Sequence, residues 1–158
     1  MATKKIRTAL FDRTIWADEV MIRAIRLGDA VNARLSLFFA EYGLTILQFN
    51  VLRILYVQDE NSEGIPAGNI KDLLIVRGPD VTRLLDRLEK AGFIERLRHA
   101  GDRRVVKVRL TRAGTALVEK VHEPLIQHNI ELLSGITEKE LKTIARQLSR
   151  VQETLAKH

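Results

Sequence analysis

The sequence predicts a mainly α fold with a small β-hairpin, and three observations predict it. Apolar residues recur at helical spacing towards both ends of the chain, the period changes from 3.6 to 2 after Gly92, and the excess positive charge lies where that change occurs. From Arg77 to Arg112 there are eleven Lys/Arg and five Asp/Glu, whereas residues 1–76 carry nine of each sign and residues 113–158 six of each. Charge concentrated on one supersecondary unit is the footprint of a polyanion-binding surface, most often nucleic acid. A solvated face usually mixes its signs evenly.

The elements follow in order. Ile15 to Phe39 contains no proline and places Ile15, Ile22, Ile25, Leu35, Phe38 and Phe39 at helical spacing. Gly28 interrupts it and predicts a bend or a close helix contact. After a break at Glu41-Tyr42-Gly43, Thr45 is placed to cap a helix over Leu47–Val57 with the stripe Leu47, Val51, Ile54 and Leu55. Gln58 to Gly64 is a polar loop. A short helix over Pro66–Ile75 opens with proline in its first turn, and Gly78-Pro79 breaks the chain and starts another helix that runs to Lys90.

That helix buries Val81, Leu84, Leu85 and Leu88 and turns Arg83, Arg87 and Lys90 away; Ala91-Gly92 stops it. Phe93–Leu97 then reads as one strand and Val106–Leu110 as a second, joined at a tip of His99-Ala100-Gly101-Asp102. Thr111 is placed to cap a long helix to Leu133, bent at Pro124. Thr137 and Glu140 have capping-box spacing for a last helix with the stripe Leu141, Ile144, Ala145, Leu148, Val151 and Leu155. The centre of this order is a winged helix-turn-helix: a support helix, two helices joined by a turn at Val76–Gly78, and the hairpin Phe93–Leu110 as the wing.

Composition narrows the class. At 158 residues, 46% hydrophobic and 29% charged, the chain has the balance of one ordinary globular domain. No apolar run nears the roughly 20 residues that span a bilayer, and Met1 to Arg7 is polar and basic, so neither a membrane segment nor a signal peptide is expected and a cytoplasmic location follows by default. Without cysteine there is no disulfide, thiolate metal site or thiol sensor. No His pair stands at i,i+4, which disfavours a metal site, and no cofactor is expected. There is also no glycine-rich phosphate loop or nucleophile elbow, so nothing points to an enzyme.

The stretch VTRLLDRLEKAGFIERLRHAGDRRVVKVRLTRAG, Val81 to Gly114, closely resembles the MarR family of bacterial winged helix-turn-helix transcriptional regulators. LLDRLEKAGFIER is similar to that family's recognition helix running into the first wing strand, and DRRVVKVRLT to its Asp-x-Arg wing signature. GLTILQFNVLRIL, Gly43 to Leu55, resembles the helix before the helix-turn-helix. The short helix departs from the usual wording with Gly68 inside it, at a cost of up to about 1 kcal/mol relative to alanine. The resemblance implies a DNA-binding lobe over residues 43–111, flanked by N- and C-terminal dimerisation helices over residues 1–42 and 112–158. The implied protein is a cytoplasmic homodimer that binds pseudo-palindromic double-stranded DNA, commonly as a repressor.

The residues supply the mechanism. A helix fits the major groove, and Pro79, Asp80, Thr82 and Arg83 occupy the turn that points into it. Arg83 can make a bidentate contact to guanine, worth roughly 1–3 kcal/mol of discrimination. Thr82 suits a phosphate or a thymine methyl. Asp80 either favours the helix N-terminus or accepts from cytosine. In the wing, Arg103 and Arg104 sit beside the tip and can reach a narrow minor groove; by resemblance, Asp102 orients Arg104 for insertion. The alternative is a surface ion pair worth at most about 1 kcal/mol. Arg77, Arg87, Arg96, Arg98 and Lys107 are phosphate-contact candidates, some of them equally well explained by solvation.

The outer stripes are too long for so small a centre to cover, which calls for a partner surface. The resemblance also implies a small aromatic or anionic effector between the dimer helices and the lobe. Trp16, Arg23, Tyr42, Phe49 and Arg53 are candidates for its pocket, each equally well explained as packing or surface charge. Against ligand sensing stands a constitutive winged-helix nucleic-acid-binding protein.

Overall fold

The computed structural model describes residues 2–59, 61–75, 80–98 and 106–157, with the side chains of residues 2–14 and of Arg98 outside the description. Its elements are α1 (Ala2–Ala40), α2 (Ile46–Gln58), β1 (Ile65–Pro66), α3 (Ala67–Leu73), α4 (Val81–Lys90), β2 (Ile94–Arg98), β3 (Val106–Leu110), α5 (Arg112–Leu132) and α6 (Glu138–Leu155). The predicted class, mainly α with a small hairpin, is the observed one. The chain divides into two compact units, Met1–Val118 and Glu119–His158.

Local chemistry sets most of the boundaries. Thr45 caps α2 with the reciprocal bonds of a capping box: its hydroxyl accepts from the Gln48 N–H, and the Gln48 side chain accepts from the Thr45 N–H. Gly92, at φ +76°, ends α4. The Phe93 N–H reaches the Leu88 carbonyl and the Gly92 N–H the Glu89 carbonyl, the paired bonds of a Schellman stop. The Thr111 hydroxyl accepts from the Gly114 N–H at the start of α5 and donates to the Gly92 carbonyl, so one residue joins two helix ends.

The core of the first unit is built around α2, which packs on α1, α3, α4 and β3. Val51, Leu52 and Leu55 of α2, Ile70 of α3, Leu85 and Leu88 of α4, Ile94 of β2 and Val108 of β3 are its deepest side chains. The sheet is antiparallel in the order β1-β3-β2, with Ile94 opposite Leu110, Arg96 opposite Val108 and Ile65 also opposite Val108. In the second unit α6 buries no residue, and Ile144, Leu148 and Leu155 are exposed.

The structure corrects several expectations. Helix α1 begins at Ala2 and runs through Gly28 unbroken, and a side chain built at Gly28 would meet nothing within 4 Å. Helix backbone bonds on either side tolerate one glycine at a cost near 1 kcal/mol, too little to break so long a helix. Pro66 precedes α3 and pairs in β1, a third strand that the sequence did not suggest. Helix α4 starts at Val81 with Asp80 as its cap, not at Pro79, because a capping side chain needs the extended backbone that Asp80 has. Helix α5 contains Pro124 and ends at Leu132, as the sequence led one to expect of a long helix there.

Candidate nucleic-acid interface

Helix α4 presents three faces. At about 100° per residue, Leu84, Leu85 and Leu88 share the buried side. Thr82, Asp86 and Glu89 share a second side, next to β2. Arg83, Arg87 and Lys90 form a third, an exposed cationic ridge. The Asp80 carboxylate holds the start of this helix. It accepts from the Arg83 N–H at 3.1 Å, and its other oxygen lies 3.1 Å from Arg83 Nε. Of the two readings open for Asp80, the helix-end one describes its geometry. The Arg83 side chain remains 80% exposed, and an ion pair so open to water is worth at most about 1 kcal/mol, easily exchanged for another acceptor.

The entry to α4 is anchored from beneath. Asn50, buried within the apolar stripe of α2, accepts from the Ile75 N–H at 3.1 Å. A buried amide without a partner costs about 1–3 kcal/mol, so this bond fixes the end of α3 against α2. The sequence offered only a faint signal for it: one polar residue among apolar neighbours.

Arg96 is the main departure from expectation. Proposed as a phosphate contact, it is instead held inside the lobe. Its Nη1 lies 2.6 Å from Asp86 Oδ1 and 2.8 Å from Glu89 Oε2, its Nη2 donates to the Thr82 carbonyl at 3.4 Å, and its backbone N–H donates to Glu89 Oε1 at 3.3 Å. The period of the strand explains why. Arg96 is two residues from buried Ile94 and opposite buried Val108, so it shares the face of the ribbon that turns to the core. The other face carries Glu95, Leu97, Lys107 and Arg109. There Arg109 pairs with Glu95 at 2.8 Å and donates to the Ser62 carbonyl, and Lys107 lies 3.7 Å from Glu63.

The remaining predicted residues fall as follows. Thr82 and Arg87 are exposed on α4. Arg77 and Pro79 before α4, and Asp102, Arg103 and Arg104 at the hairpin tip, lie outside the described residues, as does the side chain of Arg98 at the end of β2. The five pocket candidates do not share one environment. Phe49 is core, its ring 4.9 Å from that of Phe39, and the Tyr42 ring meets that of Phe38 at a tilt, 5.2 Å between centroids. Arg23 is tied to Glu19 on the surface of α1, while Trp16 and Arg53 are exposed. A surface cavity of about 490 Å³ does lie beside α4, lined in part by Gly68, Lys71, Thr82, Leu85 and Arg96. Among the described residues no cluster of His, Cys, Asp or Glu could hold a metal ion, and no helix is long and apolar enough to cross a membrane.

Known proteins share this fold. Residues 44–106 match the model of the MarR family. The HTH-type transcriptional regulator PecS of Dickeya dadantii (strain 3937) is 31% identical over 130 residues, covering 82% of this chain and 78% of that protein. The chain belongs to the MarR family. A crystal structure of mutant MarR from E. coli complexed with operator DNA superposes on this MarR-family chain with a TM-score of 0.70 at 30% identity, covering 82% of this chain and 91% of that one. The S. aureus MepR–DNA complex, at 24% identity, covers 86% of this chain and 96% of that one and shares the fold with a TM-score of 0.72. The chain is thus a winged-helix transcriptional regulator of the MarR type, and its relatives are regulators rather than enzymes.

Proposed function

We propose that this MarR-type regulator binds pseudo-palindromic duplex DNA as a homodimer, with α4 in the major groove and the wing in the minor groove. The observation that carries this reading is the ridge of Arg83, Arg87 and Lys90, exposed along a helix whose own acids, Asp86 and Glu89, are paired on another side. Arg83 reads a guanine edge, Thr82 and Arg87 meet the backbone, and Arg77 and Pro79 lie at the groove entrance. In the wing, Asp102 orients Arg104 into the minor groove with Arg103 beside it, while Arg98 and Lys107 face phosphates. The E. coli MarR complexed with operator DNA supports the reading by likeness.

A second copy of the chain suits the apolar residues left in water: Ile15, Trp16, Ile22, Ile25 and Val31 on α1, and Ile144, Leu148 and Leu155 on α6. Covering such surface returns about 25 cal/mol per Å². A two-fold pair then spaces two α4 helices for half-sites about one helical turn apart. A small aromatic or anionic effector modulates binding; the cavity flanked by Lys71 beside α4 supports an anion more than the five residues named from sequence do.

Fluorescence anisotropy on duplexes enriched from a randomised pool tests the DNA reading. Binding falls with salt at a log–log slope near −0.9 per neutralised phosphate. Arg104→Ala weakens every duplex, and Arg83→Ala also relaxes preference at one base pair. Equal and small losses from both variants contradict these roles. Sedimentation that shows only monomer at micromolar concentration contradicts the dimer.

A further inference from the structure

We infer that Arg96 is a positioning residue for sequence recognition: with Asp86 and Glu89 it clamps the recognition helix to the wing and sets the operator preference without touching DNA. The inference rests on the DNA reading above and concerns residues which that reading leaves unassigned. Arg96 stands on β2, whereas Thr82, Asp86 and Glu89 lie at i, i+4 and i+7 along one side of α4, so a single guanidinium grips two turns of that helix. Its side chain is 26% exposed, more enclosed than any other arginine ion-paired in the described residues. A planar fork that reaches two carboxylates and a carbonyl fixes angle as well as distance, which the point charge of lysine cannot do.

The clamp has an electrostatic consequence too. Asp86 and Glu89 are the only acids within α4. With both turned to Arg96, one of their two negative charges is offset beside the wing, and both carboxylates are held on a side of α4 other than that of the cationic ridge. Loosening the clamp frees two carboxylates near the phosphates and lets helix and wing move independently. A rigid relation between the two elements matters for register, because each reads a different groove.

The test uses the full-length chain and two probes: the duplex that the unaltered chain enriches from a randomised pool, and a scrambled duplex of equal length and composition. The quantity read is the ratio of the two affinities. A simple loss of folded protein lowers both affinities alike and leaves the ratio unchanged. Arg96→Gln lowers the ratio about fivefold or more, within the range of one mismatched base pair, with the salt slope on the scrambled duplex unaltered. Asp86→Asn with Glu89→Gln also lowers the ratio, although it tightens binding to the scrambled duplex by removing negative charge. Arg96→Lys falls between Arg96→Gln and the unaltered chain.

An Arg96→Gln variant that loses equally on both duplexes, with a slope smaller by about 0.9, makes Arg96 a phosphate contact and overturns the clamp. An unchanged ratio in the double variant overturns it as well, and that variant keeps the test decisive if Arg96→Gln does not fold. Failure of the unaltered chain to enrich any duplex overturns the DNA reading, and this inference with it.

Discussion

Helix α2 buries six of its thirteen residues, and α6 buries none of its eighteen. Both begin with the same device, a threonine whose hydroxyl accepts from the N–H three positions on and whose own N–H donates to the side chain of that residue. The difference is what stands against them. Four other elements of its own lobe cover α2, so its apolar residues define a core. The apolar stripe of α6 faces water, and the helix rests on local terms: its capping box, the Lys142–Glu138 pair and hydroxyls bonded to the preceding turn. Local terms of this kind contribute tenths of a kcal/mol to about 1 kcal/mol each. Two helices started by the same chemistry therefore owe their stability to different sources, one to the packing of its fold and the other to bonds within its own turns.

Deleting side chains from the two regions breaks or sharpens that contrast most directly. Leu88 of α4 has no exposed surface, and Leu88→Ala lowers unfolding stability by about 2–5 kcal/mol at every protein concentration. Leu148 of α6 is 44% exposed, so Leu148→Ala changes the stability of a monomer by well under 1 kcal/mol but lowers the unfolding midpoint more as the protein is concentrated. Urea titrations at two concentrations a hundredfold apart check both. A concentration-independent loss of several kcal/mol at Leu148 would show that α6 packs within its own chain and would remove the contrast.

Glycines sharpen the comparison at smaller scale. A side chain at Gly114, in the first turn of α5, collides with the carbonyl oxygen of Phe93, and rigid backbone on that side cannot yield cheaply. Gly114→Ala therefore costs about 1–3 kcal/mol. Gly68 of α3 meets nothing within 4 Å, and Gly68→Ala stabilises by about 0.4–1 kcal/mol through the unfolded chain. Thermal melts of the two single variants should move in opposite directions. Gly68, which departs from the family's usual wording, thus weakens α3 without serving a close approach.

These cases show what the sequence made legible. Capping residues, helix stops and the switch of period are local, and Thr45, Gly92, Thr111 and Thr137 all act where their neighbours indicated. A two-residue strand has no period to detect, so β1 was invisible until Val108 supplied its partner. For Arg96, charge was weighed above position, and its bonds to Asp86 and Glu89 were not foreseen. Counting by two from Ile94 places it on the inner face, and charge alone does not say whether a cation faces solvent or a pair of acids on a neighbouring helix. The buried bond of Asn50 to Ile75 joins residues 25 apart, beyond what local spacing can express. For the hairpin tip, the reading still rests on Asp102, Arg103 and Arg104 as sequence.

The smallest effect lies at the start of α6, where the contrast with α2 becomes one of chemistry. Gln48 completes the α2 capping box with a neutral amide, and Glu140 completes that of α6 with a carboxylate. The Glu140 carboxylate accepts from the Thr137 hydroxyl at 2.6 Å and from its N–H at 2.9 Å, and these bonds, the hydroxyl first, hold its pKa below the ordinary value of 4.5. Both bonds favour the ionised form. A depressed carboxylate stabilises the folded state above its unfolded pKa, and that stabilisation is lost as pH falls through the lower, folded value. The first turn of α6 therefore frays as pH drops below about 4.5, whereas α2 keeps its cap. Amide hydrogen exchange of the first turn of each helix, followed as protection from neutral pH down to well below 4.5, checks this. Glu140→Gln removes the difference, because an amide at that position has no proton to gain over this range. If α6 keeps its protection in acid as α2 does, the carboxylate contributes nothing beyond what Gln48 supplies, and the two caps are equivalent in energy as well as in form.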